Sequence, residues 1–327
     1  MNTTYRVSSR GISPFGQLGI LIALLGAGLI LASIVSVVII KLALGVPLSG
    51  LAAAILDPKN IQVARFVQFA STLFLFAIPA FVWAAIVERR PVQYLGFSTY
   101  SNAKQFYIVL LLVIAALFAQ STLSQLNELI PLSKNWEATF KRMEDEYTKE
   151  VLGMAQMKSF GDYIYSLIIL AFLPALFEEM FFRGALQQTF VRLFRNAFVG
   201  ILVTSIFFSA AHFSFYGFLT RLFLGLLLGY IFYYGKNIWL NITAHFLNNA
   251  VVVTGLYMLS RSGKLTEKSL EDENYPVYVG LIAIVAVFAL FTFFKRESVK
   301  TAVVTQDGVR EEYELDNPFE KENDNIL

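Results

Sequence analysis

Cysteine is absent from the 327-residue chain. Its absence excludes disulfide bonds, a cysteine nucleophile, iron–sulfur clusters and zinc sites built on thiolates. Histidine is nearly absent, because the chain has 2, and any imidazole chemistry must use His212 or His245. Charge is scarce as well: 15% of the residues are charged, against about 25% in an average soluble domain.

No charge of one sign dominates the chain. It has 26 basic and 24 acidic residues, a net charge of +2, so nothing predicts nucleic acid as a partner. Hydrophobic residues, in contrast, make up 56% of the chain and fall into long runs. About 20 apolar residues in a helix cross a bilayer core. Eight such spans are predicted, running from Phe15 to Leu42, Phe66 to Val87, Gln105 to Leu126, Tyr163 to Leu186, Ala197 to Phe215, Phe218 to Tyr234, Ile238 to Leu259 and Val277 to Phe294.

These runs predict helices, because backbone groups in lipid must be hydrogen-bonded within their own segment. The alternating ten-residue strands of a barrel are not visible. The first run is too long for a signal-peptide core, so it is expected to be a retained span. We therefore predict an all-α integral membrane protein, a polytopic bundle of about eight transmembrane helices over residues 1–295. The basic residues of the short loops favour both termini in the cytoplasm.

Two segments differ from the apolar runs. Residues 130–160 form a charged extramembrane loop, in which apolar side chains recur at helical spacing. Such a helix could lie on the membrane surface and gate a site, or pack on the bundle, and we favour packing. Residues 296–327 contain nine acidic and four basic residues and are predicted to be a poorly ordered soluble tail. The apolar face of the loop consists of Trp136, Phe140, Met143, Tyr147, Val151 and Met154.

Ionisable side chains inside spans indicate function, because each costs at least about 2.5–3.5 kcal/mol to insert. Lys41 and Arg221 lie near span ends, and we interpret them as snorkelling to the interface. The remaining polar candidates are Glu178, Glu179 and Arg183 in span four, His212 in span five, and His245 and Asn249 in span seven.

Helical spacing assigns different roles to the two glutamates. Glu179 and Arg183 are four residues apart, which predicts a buried structural ion pair. Glu178 points about 100° away and is the candidate reagent. If spans four and five form a hairpin that turns at Arg195-Asn196, residues 178 and 212 lie at equal depth and can face each other.

Pro174 lies four residues before Glu178 and removes one helical hydrogen bond. A kink there would help to open a cavity. Membrane helices also tolerate proline for packing alone, so the proline does not decide the question.

These side chains are suited to amide hydrolysis by activated water. A buried carboxylate can act as general base, and a neutral imidazole can hold the same water. The second histidine and an asparagine amide can donate hydrogen bonds to an oxyanion. In the metal-assisted variant, Glu178, His212 and His245 would hold zinc or another divalent metal and leave a position open for water. The spacing leaves both variants open.

Three motifs in order resemble the CPBP family, which joins CAAX prenyl endopeptidases of the Ras-converting type with bacteriocin-processing and immunity proteins and is also called the Abi family. The resemblance covers the motif core, residues 163–257. The motifs are Glu178-Glu179-x-x-x-Arg183, Phe208-x-x-x-His212 and His245-x-x-x-Asn249.

The resemblance implies an intramembrane endopeptidase that acts on a membrane-embedded or lipidated peptide or protein. It implies that Glu178 activates the water with help from His212, and that His245 and Asn249 form the oxyanion hole. Glu179 and Arg183 complete the first motif. The family is described both as metal-dependent and as a metal-free glutamate protease. With no targeting signal visible, the resemblance also suggests a bacterial cytoplasmic membrane.

Two other functions remain open at this point. A non-catalytic immunity or scaffold protein of the same fold would use the motif residues structurally. A transporter is less favoured, because no paired broken helices or repeated halves are visible.

Overall fold

The structure, a computed structural model, describes residues 10–98, 101–266, 269 and 275–316. These residues form helices and no strand, which confirms the predicted all-α class. The helices that organise the fold are α1 (Pro14–Leu44), α2 (Pro58–Val87), α3 (Ala103–Glu128), α4 (Lys134–Ala155), α5 (Phe160–Phe194), α6 (Ala197–Ala210), α7 (Phe218–Gly235), α8 (Ile238–Arg261) and α9 (Val277–Asp316).

Among the described residues, seven of these helices are long and apolar enough to cross a membrane, and the chain is an integral membrane protein. The fifth predicted span, Ala197 to Phe215, differs from its prediction. Helix α6 has 14 residues, about 21 Å at 1.5 Å per residue, and it ends five residues before Phe215. Phe213 adopts a left-handed φ of 51°, which cannot continue an α-helix.

Helix α5 lies at the centre of the bundle. Half of its most apolar window (50%) is buried, whereas α1 and α9 bury only 11% and 22% of theirs. Large apolar side chains such as Ile34, Val285 and Phe288 point outward from these peripheral helices. The outer helices therefore face lipid, and α5 holds its polar side chains inside the protein.

A tight turn joins α5 to α6 at the predicted place. Arg195 has a left-handed φ of 51° and ends α5. The Asn196 side chain then caps α6 by accepting a hydrogen bond of 3.2 Å from the amide of Val199. The two helices therefore form the hairpin expected from the sequence.

Two internal prolines are accommodated by π-helical turns. The segment Leu167–Phe172 precedes Pro174 in α5, and Leu73–Ala77 precedes Pro79 in α2. A wider turn relieves the clash and the missing hydrogen bond that proline imposes. A further π-helical segment, Met180–Gln187, follows directly after the two glutamates.

Helix α4 packs on the bundle above the α6–α7 loop. The ring of Phe140 stacks on Phe215 with centroids 4.5 Å apart. The Ser214 hydroxyl donates a hydrogen bond of 2.8 Å to Glu144. At the other end of α4, the buried Arg65 donates to the carbonyl oxygen of Met154 at 2.9 Å. The charged loop is thus a helix fixed at both ends.

Helix α9 continues past the boundary predicted at residue 296 and ends at Asp316. Its extension is held by α3: Gln105 donates to Ser298 at 3.1 Å, and Lys104 pairs with Glu297 at 3.2 Å. The first part of the predicted tail is therefore helical, and residues 317–327 lie outside the described residues.

Candidate active site

A fully buried ion pair lies in the middle of α5. Nη1 of Arg183 donates to Oε1 of Glu179 at 2.8 Å, as the four-residue spacing predicts. Nη2 of Arg183 reaches the carbonyl oxygen of Gly225 in α7 at 3.3 Å. The guanidinium also lies 4.6 Å above the ring of Phe208 in α6. The pair therefore ties α5 to both α6 and α7.

Helix α8 brings two further side chains to the same carboxylate. Nδ1 of His245 lies 2.8 Å from Oε1 of Glu179. Asn241, one turn earlier, donates to Oε2 at 3.3 Å and to the carbonyl oxygen of Leu228 at 2.7 Å. Both oxygens of Glu179 therefore accept hydrogen bonds from neighbouring side chains.

Glu178 is placed differently. Its Oε2 atom is buried and has no hydrogen-bond partner among the described residues. Nε2 of His245 lies 3.9 Å away, beyond hydrogen-bond distance. One histidine therefore bridges the two glutamates, bonded to Glu179 through one nitrogen and facing Glu178 with the other. Of the two glutamates, Glu178 is the one whose buried oxygen has no partner within the described part of the chain.

His212 lies in the turn after α6, rather than inside a span as predicted. Its Nδ1 is 2.8 Å from the carbonyl oxygen of Phe208. A carbonyl only accepts, so Nδ1 carries a hydrogen and Nε2 of the neutral ring is an acceptor. The Phe208 ring packs against both imidazoles, with centroids 5.1 Å from His212 and 5.6 Å from His245. The hydrogen bond of His212 goes to this backbone carbonyl and the histidine near Glu178 is His245, so the expected pairing of His212 with Glu178 is not observed.

Asn249 lies one turn beyond His245 on α8. Its Oδ1 accepts a hydrogen bond of 3.4 Å from Asn248, whose own Oδ1 accepts from Gln120 of α3 at 3.0 Å. This chain of amides fixes the oxygen of Asn249 and leaves its Nδ2 protons available to a ligand.

The candidate metal ligands are not grouped around one point in the described part of the chain. A catalytic zinc ion needs about three protein ligands. Within the described ranges, no group of three or more His, Cys, Asp or Glu side chains is arranged to hold a metal ion. The zinc set considered from the sequence, Glu178, His212 and His245, is not such a group.

Sequence reasoning missed two side chains near this cluster. Asn241 lies four residues before His245, just as Asn249 lies four residues after it. The same spacing could therefore have indicated that Asn241 shares a helix face with His245. Gln120 supports the Asn248–Asn249 pair from another helix, and no local pattern indicates it.

Comparison with known proteins agrees with the motif region. A family model described as type II CAAX prenyl endopeptidase, Rce1-like, matches residues 160–251. The match covers less than a third of the chain, contains all the candidate site residues and confirms the resemblance seen in the motifs. It supports an intramembrane endopeptidase function in general. Neither the comparison with curated proteins nor that with solved structures gave a match.

Proposed function

We propose that this protein is an intramembrane endopeptidase that hydrolyses a peptide bond in a membrane-associated or lipidated substrate. The observation that carries the proposal is the Glu178 carboxylate, whose buried Oε2 accepts no hydrogen bond from any residue that the structure describes. A buried polar group without a partner is costly in a structural role. It is expected where a water or substrate group completes the hydrogen bonding.

In the proposed reaction Glu178 takes a proton from a water molecule as the water oxygen attacks the peptide carbonyl carbon. The Nε2 acceptor of His212 helps to orient that water. The carbonyl oxygen becomes an oxyanion, the C–N bond then breaks, and the leaving nitrogen receives the proton from Glu178. No covalent link to the protein forms.

His245 and Asn249 are proposed to stabilise the oxyanion. The free Nδ2 protons of Asn249 suit this role. His245 already uses Nδ1 on Glu179, so its Nε2 can donate only when the ring carries both protons. Glu179 thereby positions the histidine, and Arg183 and Asn241 position Glu179.

We propose a glutamate-type reaction without metal, and the support is that the described residues include no group of three or more candidate metal ligands. Dialysis of active protein against 1,10-phenanthroline is therefore expected to leave the cleavage rate unchanged. Zinc in stoichiometric amount by elemental analysis, with activity lost on chelation and restored by zinc, would refute this part of the proposal.

The activity is tested by incubating purified wild type and Glu178→Ala with prenylated CAAX peptides and other lipidated peptides, with mass spectrometry of the products. Cleavage by wild type and by the exposed-carboxylate control Glu146→Ala, but not by Glu178→Ala, is expected. The competing function is a non-catalytic immunity or scaffold protein. Equal products from wild type and Glu178→Ala, or no cleavage together with a phenotype that survives Glu178→Ala, would favour it.

We also propose that the protein lies in a bacterial cytoplasmic membrane with both termini in the cytoplasm. Basic residues concentrate on the side where α2, α5 and α7 end, as Arg89, Arg90, Arg192, Arg195 and Lys236 show. A fluorescent protein fused to the carboxyl terminus should fluoresce. Alkaline phosphatase activity of the matching fusion would reverse the orientation.

A further inference from the structure

Phe213, directly after His212, has a strained backbone conformation. Its φ of 51° lies in the left-handed region, which glycine and asparagine adopt readily and a bulky side chain adopts at a cost. Its ring is 74% exposed, so packing of the ring in the core does not hold this conformation. Strained residues persist where the surrounding structure determines them. Other groups must therefore hold the α6–α7 loop, residues 211–217, in its turn.

Asn127, near the end of α3, holds the far end of this loop. Its side chain is fully buried. The amide Nδ2 donates to the carbonyl oxygen of Phe215 at 2.9 Å, and Oδ1 accepts from the backbone amide of Leu219 at 3.0 Å. One side chain thus bonds to the loop and to the start of α7, with its donor and its acceptor both in use.

Asn127 also replaces the missing cap of α7. The first amides of a helix have no partner within the helix, and the side chain of the N-cap residue usually accepts from one of them. The N-cap residue of α7 is Gly217, which has no side chain and makes no such bond. Leu219, the second residue of α7, donates to Asn127 instead. A residue of another helix therefore fixes where α7 begins.

His212 lies near the other end of the same loop. Its backbone amide donates to the carbonyl oxygen of Ser209 at 3.3 Å, and its Nδ1 to that of Phe208 at 2.8 Å. The Ser209 hydroxyl donates to the carbonyl oxygen of Phe218 at 2.7 Å. The end of α6 is thereby tied to the start of α7, so a shift of α7 would reach His212 through this bond and through the turn at Phe213.

We infer that Asn127 is a positioning residue that holds His212 in place through the α6–α7 loop. The inference rests on the proposed function, in which Nε2 of His212 orients the attacking water. Asn127 bonds to the backbone of Phe215 and Leu219 and acts through the loop. Helix α3 carries none of the sequence motifs, so the motifs do not point to this residue.

The two histidines of the chain allow a direct test by NMR, because isotope-labelled histidine gives imidazole signals from His212 and His245 alone. Asn127→Leu keeps a similar size and removes both hydrogen bonds. In detergent micelles, wild-type His212 should show the single tautomer with the proton on Nδ1. In Asn127→Leu it should show a mixture of tautomers, whereas His245, bonded to Glu179, should not change.

Gln125→Leu is the matched control. Gln125 is another α3 amide that donates to a distant carbonyl oxygen, that of Tyr275 at 2.9 Å, which lies outside the His212 loop. This substitution should leave both imidazole signals unchanged. Assignment of the signals comes from His212→Gln, which removes one of them.

Cleavage kinetics and a rescue variant separate positioning from general stability. Asn127→Leu should lower kcat about 10- to 100-fold with little change in KM, since the misplaced group acts in the chemical step. In a His212→Ala background the same change should lower kcat by less than about twofold, because the two residues act as a unit. Adding Phe213→Asn, which lowers the cost of the left-handed turn, should restore part of the kcat and of the Nδ1 tautomer.

Unchanged His212 signals in folded Asn127→Leu would overturn the inference. So would equal changes at both histidines, fully additive losses of kcat with His212→Ala, or no restoration by Phe213→Asn. If Asn127→Leu does not accumulate, Asn127→Asp keeps the acceptor for Leu219, loses the amide donor to Phe215 and is measured in the same way. The NMR result is independent of turnover: a wild type that cleaves no peptide, with the His212 response intact, would count against the proposed function alone.

Discussion

Replacing Glu179 by glutamine should unfold the protein far more readily than the same change at Glu178. Glu179 accepts hydrogen bonds of 2.8 Å from both Arg183 and His245, and one of 3.3 Å from Asn241. Without its charge, the fully buried guanidinium of Arg183 has no counter-ion. Breaking a buried pair in this way costs about 3–5 kcal/mol, and Glu179→Gln should lower the free energy of unfolding by about that much.

The matched comparison is Glu178→Gln. This substitution removes no hydrogen bond, and it removes a buried charge that is itself costly, so the free energy of unfolding should change by less than about 1 kcal/mol. Reversible unfolding of both variants by sodium dodecyl sulfate in mixed micelles measures the difference. Equal stability of the two variants would refute the assignment of Glu179 to structure and Glu178 to chemistry.

Two further predictions concern the attachment of α4. Arg65→Met removes the donor to the carbonyl oxygens of Met154 and Gln156, so amide exchange over residues 150–157 should accelerate about tenfold or more, and unchanged protection would contradict the anchoring role. Phe140→Ala removes the ring stacked on Phe215 and should lower the free energy of unfolding by about 1 kcal/mol. Amide exchange at the start of α4 should become faster. Faster exchange in other helices alone would argue against that contact.

Much of the site could be predicted from local spacing. The Glu179–Arg183 pair follows from i,i+4 geometry, and the α5–α6 turn follows from a polar dipeptide between apolar runs. Both depend on residues close together in sequence, where helix periodicity fixes the relative positions. The length of each apolar run likewise predicted the membrane-spanning helices of the bundle.

Contacts between different helices could not be predicted from spacing along the sequence. His245 bonds to Glu179 because of how α8 packs on α5, and spacing along either helix says nothing about it. The left-handed Phe213 shortens α6 and moves His212 into a turn, although phenylalanine carries no turn signal.

The central claim is that Glu178 activates the water in a membrane-embedded peptidase. The most direct measurement is the rate constant for cleavage of a lipidated peptide by Glu178→Gln relative to wild type, at equal amounts of folded protein. The account predicts a fall of about 10²- to 10⁴-fold, as expected for loss of a general base. An unchanged rate constant in the folded variant would contradict it.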